Sequence, residues 1–480
     1  MRIFAFSMML FLGACAVGPD FVRPEPPAAE RYTSETLANV TLSPDAGSAQ
    51  GQSPQQVWWS IFQSPRLNDT VRAALEGNRT LEAARANLLR AREIAGASRG
   101  GRLPQVDLEA FNARNKYGAA FLGGFELAPF TAYSVGANVS YLLDYTGGVR
   151  RSIEQQQALA QAQEHELAAA RLSISGNVVL QAFAIASARA RIRAVEGILA
   201  EDARNVELVR EALQAGSAAR MDLLSAESQL AQDQTLLPPL HQELSVARHA
   251  LAVLVGQPPG NWTAPDFDLE DFAIVSPLPA SVPSELARRR PDILASEARL
   301  HAATAAVGVA TANLYPQIRL TGSLSQQALD AGDLFDASAN AFGLSGNLTA
   351  PLFDGGRLRA ERRAADAARL AALANYEQTV IAAFGQVADV LAALDHDAEL
   401  VTAQQRALEI AESSLALTRE SYSVGNVGVL EVLDAERQVQ RASIGVTAAR
   451  AQRMQHTAEL IVALGGDSPL APAVAPTGAN

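Results

Sequence analysis

Met221-Asp222-Leu223-Leu224-Ser225-Ala226-Glu227 recurs 209 residues later as Leu430-Glu431-Val432-Leu433-Asp434-Ala435-Glu436. Each copy follows a glycine, Gly216 or Gly425, of the kind that ends one helix and lets the chain reverse into another. The match runs from Gly216 to Leu230 and from Gly425 to Val439, and two more landmarks extend it outward. Leu103-Pro104-Gln105-Val106 answers Tyr315-Pro316-Gln317-Ile318, and Tyr145-Thr146-Gly147-Gly148 answers Phe353-Asp354-Gly355-Gly356. The chain is an internal duplication, and each repeat carries the same order of elements.

Within each repeat a first helix is expected over Pro65–Gly100 or Pro291–Asn313, followed by two strands. A long helix follows, Gly148–Gln214 or Gly356–Ser423, about 100 Å at 1.5 Å per residue. After the Gly turn another helix returns toward Gly256 or Gly465. The returning helices show a heptad-like seam, Val432, Ala435, Val439, Ala442, Val446 and Ala449 in one and Leu223, Ala226, Leu230, Asp233, Leu237 and Leu240 in the other. Pro238-Pro239 interrupts the first of these and predicts a kink or break. The boundaries follow: 1–14 an export signal, 15–58 a tether, 59–256 the first repeat, 257–283 a proline-rich linker, 284–466 the second repeat and 467–480 a tail.

The strands alternate. Ala132–Leu143 puts Tyr133, Val135, Ala137, Val139, Tyr141 and Leu143 on one face and Ser134, Gly136, Asn138 and Ser140 on the other. Gln317–Ser325 and Ala341–Leu352 alternate likewise, and Val106–Asn115 departs only at Phe111. Such runs have the ~9–11-residue length of a transmembrane β-strand. No run outside the N-terminus reads as an unbroken apolar helix span, so insertion is expected through strands. Four strands cannot close a barrel, and open edges in lipid leave backbone groups unsatisfied at several kcal/mol each. Two copies would supply eight strands and three would supply twelve, both permitted numbers. The connecting loops, Lys116–Phe130 and Gln326–Asn340, are expected outside the cell, the first bearing Phe121, Leu122, Phe125 and Phe130 at the pore mouth.

Composition narrows the function classes. Thirty-nine Lys and Arg against 51 Asp and Glu give a net charge of −12, which excludes a basic nucleic-acid surface. Aromatic residues make up 6% against 48% hydrophobic, the profile of alanine-rich helices that approach closely. His165, His241, His249, His301, His396 and His456 are scattered, with no metalloprotease, phosphate-loop or nucleophile-elbow pattern. The chain does not read as an enzyme, and no metal or other cofactor is expected. Its single cysteine, Cys15, closes Leu12-Gly13-Ala14-Cys15 after the charged and apolar regions of an export signal. That tetrad is similar to a lipobox, so Cys15 is expected to carry a lipid and become the first mature residue. One lipid gives marginal binding, and the strands supply the second anchor.

With these features, the segment Cys15-Ala16-Val17-Gly18-Pro19-Asp20-Phe21-Val22-Arg23-Pro24, the pair Trp58-Trp59 with Phe62 and Leu67, and Arg289-Arg290-Pro291-Asp292-Ile293, the chain resembles the TolC-like outer-membrane efflux proteins. The resemblance is to the lipoprotein (NodT-type) branch serving resistance-nodulation-division pumps. It implies a mainly α homotrimer whose α-helical periplasmic barrel is continuous with a 12-stranded transmembrane β-barrel. It also implies a passive exit duct in the outer membrane, lipid-anchored and extending into the periplasm, with an adaptor protein, an inner-membrane transporter and outer-membrane lipid as partners. The family's periplasmic entrance maps onto Tyr422, Glu431 and Asp434, with Asp222 at a position that can lock neighbouring helices. Glu431 and Asp434 share a helix face, and threefold symmetry would gather six carboxylates into a cation-attracting ring. Val427 stands where some members carry a basic residue, so a salt-bridge lock is not expected at that point. Gly216, Ser217, Gly425, Asn426 and Gly428 are small enough at the turns for an adaptor's helical hairpin to dock. Two other readings remain: a channel for type I protein secretion, and a periplasmic coiled-coil scaffold lipoprotein, which leaves the strands unexplained.

Overall fold

The computed structural model describes residues 16–25, 31–33, 42–43, 57–118, 123–124, 126–273, 278–279 and 283–466. The expected signal, Cys15, the loop residues Phe121, Leu122 and Phe125, and the 467–480 tail lie outside them. The helices are α1 (Pro65–Gly77), α2 (Arg79–Gly100), α3 (Gly148–Gln214), α4 (Arg220–Gln234), α5 (Leu237–Leu254), α6 (Pro283–Arg289), α7 (Pro291–Ala312), α8 (Arg357–Ser423) and α9 (Val429–Ala463). The strands are β1 (Leu42–Ser43), β2 (Gln105–Asn115), β3 (Phe130–Leu143), β4 (Leu278–Pro279), β5 (Gln317–Ala328) and β6 (Asn340–Thr349). The chain divides into two compact units, one of Met1–Pro24, Asn87–Glu164 and Ala295–Glu377, the other of Glu25–Ala86, His165–Leu294 and Gln378–Asn480.

Several expectations need correcting. The single helix expected over 65–100 is two, because Asn78 leaves the helical conformation with φ −68° and ψ 123°. Its side-chain Oδ1 then accepts from the N–H groups of Thr80 and Leu81, capping α2, while Nδ2 donates to the Leu254 carbonyl. The expected break near Pro238 falls at Thr235-Leu236, so that the prolines occupy the first turn of α5, where a missing N–H costs nothing. β6 stops at Thr349 instead of Leu352, since Pro351 cannot donate to the ladder. β5 runs on to Ala328, shortening the loop that precedes β6. The linker is not wholly irregular: β4 pairs in parallel with β1 of the tether. Finally, 18-residue windows of α3 and α8 reach mean hydropathies of 1.3 and 1.2, enough by length and composition to cross a bilayer. In α3 that apolarity serves helix packing, because Val178, Val179, Ala182, Phe183 and Ile185 are wholly buried.

The first unit holds one antiparallel sheet in the order β2-β3-β5-β6. Its register aligns Val106 with Val139, Leu108 with Ala137 and Ala110 with Val135; it continues through Ala137 to Leu324 and Leu324 to Phe342. All of these point to one face. At the sheet's base the carboxylate of Asp144 accepts from the Val149 and Arg150 N–H groups, and Asp354 from those of Gly356 and Leu358. Each long helix thus starts on a carboxylate cap, and the backbone bonds hold Asp354 below the usual carboxylate range. Residues 16–25 strap the same unit. The Val17 N–H donates to Thr146, Phe21 stacks on His301 at 4.4 Å, Arg23 pairs with Glu297 at 2.8 Å, and buried Arg151 holds both Asp20 and Glu154.

In the second unit the linker is clamped by rings and charges. Phe183 meets Phe62 and Phe272 edge-on at 5.0 and 4.8 Å. Asp266 binds Arg189 at 2.7 Å and also Arg248, while Asp268 binds Arg189 and Arg193. Burial alone raises the pKa of Asp268, but the two guanidiniums outweigh it and hold the group below its ordinary value. Arg290, from the Arg-Arg-Pro-Asp segment, reaches Asp292, the Gln386 amide and the Ala463 carbonyl, satisfying an orphan acceptor at the end of α9.

Candidate functional site

The sheet separates two chemistries. On the apolar face Phe342 and Leu344 are each 88% exposed, and Leu108, Leu324 and Leu348 are exposed with them. That is an uncovered hydrophobic surface far beyond scattered surface leucines. The opposite face lines a concavity of about 520 Å³ with Glu109, Ser134, Asn138, Ser323, Ser325 and Gln327. Phe111, where the alternation faltered, sits on this polar face opposite Ser134. β2 and β6 are the two edges, each paired on one side only among the described residues.

The Gly turns are built alike. Gly216 and Gly425 take φ of +76° and +77°, a region closed to most residues with a Cβ. Their N–H groups bond the Leu213 and Tyr422 carbonyls, and those of Ser217 and Asn426 reach back to Ala212 and Ser421. Both are Schellman closures, which satisfy the last carbonyls of α3 and α8. A pair of salt bridges repeats as well: Arg210 to Glu227 at 3.2 Å and Arg419 to Glu436 at 2.6 Å, each tying the two helices of its hairpin. The recurrence of Arg and Glu at the duplication spacing is the sequence signal that could have found them.

The candidate entrance residues separate by role. Glu431 is the third residue of α9 and Asp434 lies one turn on; both are exposed and line a groove with Ser414, Thr418, Val427 and Gln438. Asp434 accepts from the Gln438 amide at 3.1 Å and pairs with Arg437 at 3.3 Å. The Glu431 carboxylate folds back so closely that a Cβ on Gly428 would lie 2.9 Å from its Oε2. Tyr422 is half exposed at the start of the turn. Asp222 occupies the position in α4 that Glu431 holds in α9, and its Oδ2 accepts from the Ala219 N–H at 2.8 Å, so in this chain its carboxylate caps α4.

One cluster escaped the sequence reading. Asp202 and Asp233 are buried, 3% and 5% exposed, and Gln229 donates to Asp233 at 2.7 Å. Asp202 Oδ2 has no donor among the described residues. Burial, then the hydrogen bond and negative charge of Asp233, push the Asp202 carboxyl up to about 6, with Arg437 and Arg441 pulling the other way. The heptad spacing places Asp233 on the packing seam and carries no sign of Asp202.

A family model described as Outer membrane efflux protein matches residues 70–257 and 282–466. The chain is 29% identical over 464 residues to the outer membrane protein OprJ of Pseudomonas aeruginosa, covering 96% of this chain and 95% of that one. It is 26% identical over 469 residues to the probable outer membrane lipoprotein SilC of Salmonella typhimurium, covering 97% and 98%. Among solved structures, the outer-membrane channel OprN superposes with a TM-score of 0.84 at 30% identity, over 95% of this chain and all of that one.

Proposed function

We propose, since this chain belongs to the outer membrane efflux protein family, that three copies join edge to edge into a passive exit duct of a tripartite efflux pump. Efflux through an outer-membrane channel is the function of this family, and the chain has the fold of such channels. The observation that carries the finer reading is the four-stranded sheet with two open edges, one apolar face and one polar face. Three such sheets give twelve strands, an even number that leaves no edge in lipid and turns Glu109, Asn138 and Ser323 toward the water-filled lumen. The lipid expected on Cys15 is supported by the strap, which holds residue 16 against Gly147 beside the end of β3.

In this reading the Gly216 and Gly425 hairpins form the periplasmic entrance. The turn residues Ser217, Asn426 and Gly428 receive an adaptor's helical hairpin, and an inner-membrane transporter supplies energy and selects the cargo. Glu431 and Asp434 form the acidic ring that admits cations and restrains opening. A charge in a water-filled mouth is worth about 1 kcal/mol to a nearby ion. Glu431→Gln/Asp434→Asn should therefore lower the cation-to-anion permeability ratio of the reconstituted channel roughly fivefold. A ratio and conductance trace identical to the unaltered protein would dismiss the ring.

A further inference from the structure

The buried acids are written once in a chain otherwise written twice. At the duplication spacing, Asp202 and Asp233 correspond to Ala411 and Ala442, while Arg437 and Arg441 correspond to Ser228 and Gln232. The first repeat thus supplies two acids, both buried, and the second two bases whose charge acts on Asp202. We propose that Asp202, Asp233 and Arg437 form a proton-operated latch between the two repeats, and that the latch sets how much of Asp434's charge the entrance presents. It rests on the exit-duct reading and adds a control that the acidic ring alone does not have.

Arg437 is the shared member. Its Nη2 holds Asp434 at 3.3 Å, its Nε is buried with no acceptor among the described residues, and its charge acts on Asp202. The groups facing Asp202 can be named by element. From α3 comes Asn205, one turn on, whose Oδ1 is also buried without a donor among the described residues; the neighbouring Arg204–Glu201 pair is more exposed and closed on itself at 3.1 Å. From α4 come Asp233 and Gln229, and from α9 Arg437 and Arg441.

Two states follow. With Asp202 protonated, its O–H donates to Asp233, the acids carry one negative charge between them, and Arg437 remains on Asp434. When the proton leaves to solvent, two adjacent carboxylates demand a counter-charge, Arg437 and Arg441 are drawn to them, and Asp434 loses its partner. Because the folded pKa lies above the ordinary 3.8, the protonated contact is full in acid and is lost as pH rises through about 6. The entrance is therefore less acidic below that pH and more acidic above it.

The test is the permeability ratio of the full-length protein in planar bilayers from pH 5 to 7.5, with thermal unfolding measured over the same range. The unaltered channel should show a rise in cation preference with a midpoint near pH 6. Asp202→Asn, which keeps the donor to Asp233 but cannot ionise, should lose that step and stay at the acid value throughout. Asp202→Ala/Asp233→Ala, which copies the residues tolerated in the second repeat, should lose it while retaining oligomer mass. A step that survives in Asp202→Asn belongs to the ring carboxylates and overturns the latch. Unfolding separates the two claims: relative to Asp202→Asn, the unaltered protein should lose thermal stability as pH rises toward 6. A protein that shows this loss but never conducts contradicts the duct and the coupling to Asp434, while equal pH profiles of unfolding contradict the latch itself.

Discussion

Leu344→Arg is expected to stop the chain from assembling in the outer membrane, whereas Ser345→Arg, one residue along the same strand, should leave assembly intact. Leu344 lies mid-strand on the apolar face, aligned with Gly322 and through it with Val139. An arginine near the bilayer midplane costs about 2–4 kcal/mol in a transmembrane barrel. Threefold assembly multiplies that to roughly 6–12 kcal/mol, comparable to the whole stability of an ordinary folded protein. Ser345 faces the other way, its hydroxyl 2.7 Å from that of Thr321, where water can solvate a new charge. Folded oligomer recovered from outer-membrane fractions checks both variants. If Leu344→Arg assembles normally and Ser345→Arg does not, the two faces have been assigned the wrong way round.

Phe183→Ala should carry the largest penalty within the second unit, about 3–5 kcal/mol for truncating a buried phenylalanine. The ring is wholly buried and meets Phe62 and Phe272 edge-on, so its loss opens a cavity between α3, the residues before α1 and the linker. Phe183→Leu, which refills most of the volume, should recover more than half of the loss. Denaturant midpoints of the detergent-solubilised protein measure the difference. An alanine variant within 1 kcal/mol of the unaltered protein would mean that these rings do not form a cooperative core.

What the sequence could disclose depended on how local the signal was. The limits of α3 were legible to the residue, because Gly148 and the Gly216 closure punctuate an uninterrupted helical stretch. The strands were legible because alternation is a period-two pattern carried by each segment alone. The apolar rhythm of β6 continues past Pro351 although the ladder cannot, so alternation alone places the strand's end too late. Asn78 has no local signature, because Gly77-Asn78 lies inside a helical pattern, and only the packing of its side chain onto the Leu254 carbonyl reveals the cap.

The entrance was less legible than the frame. The duplication located Asp222 and Glu431 at matching positions, yet the structure gives the first a local bond to the Ala219 N–H and leaves the second exposed. The cross-hairpin pairs Arg210–Glu227 and Arg419–Glu436 join residues 17 apart, outside any helical repeat, so only their recurrence at the duplication spacing marks them in the sequence. The Asp202–Asp233 cluster needs three helices from two repeats, a tertiary fact with no counterpart in local spacing.

The decisive measurement is the mass of the purified protein in detergent together with its single-channel conductance in a planar bilayer. A trimer that inserts and gives discrete, cation-preferring openings is the expected result. A monomer or dimer that stays in solution and never conducts would make the apolar face a protein-covered surface and contradict the exit duct.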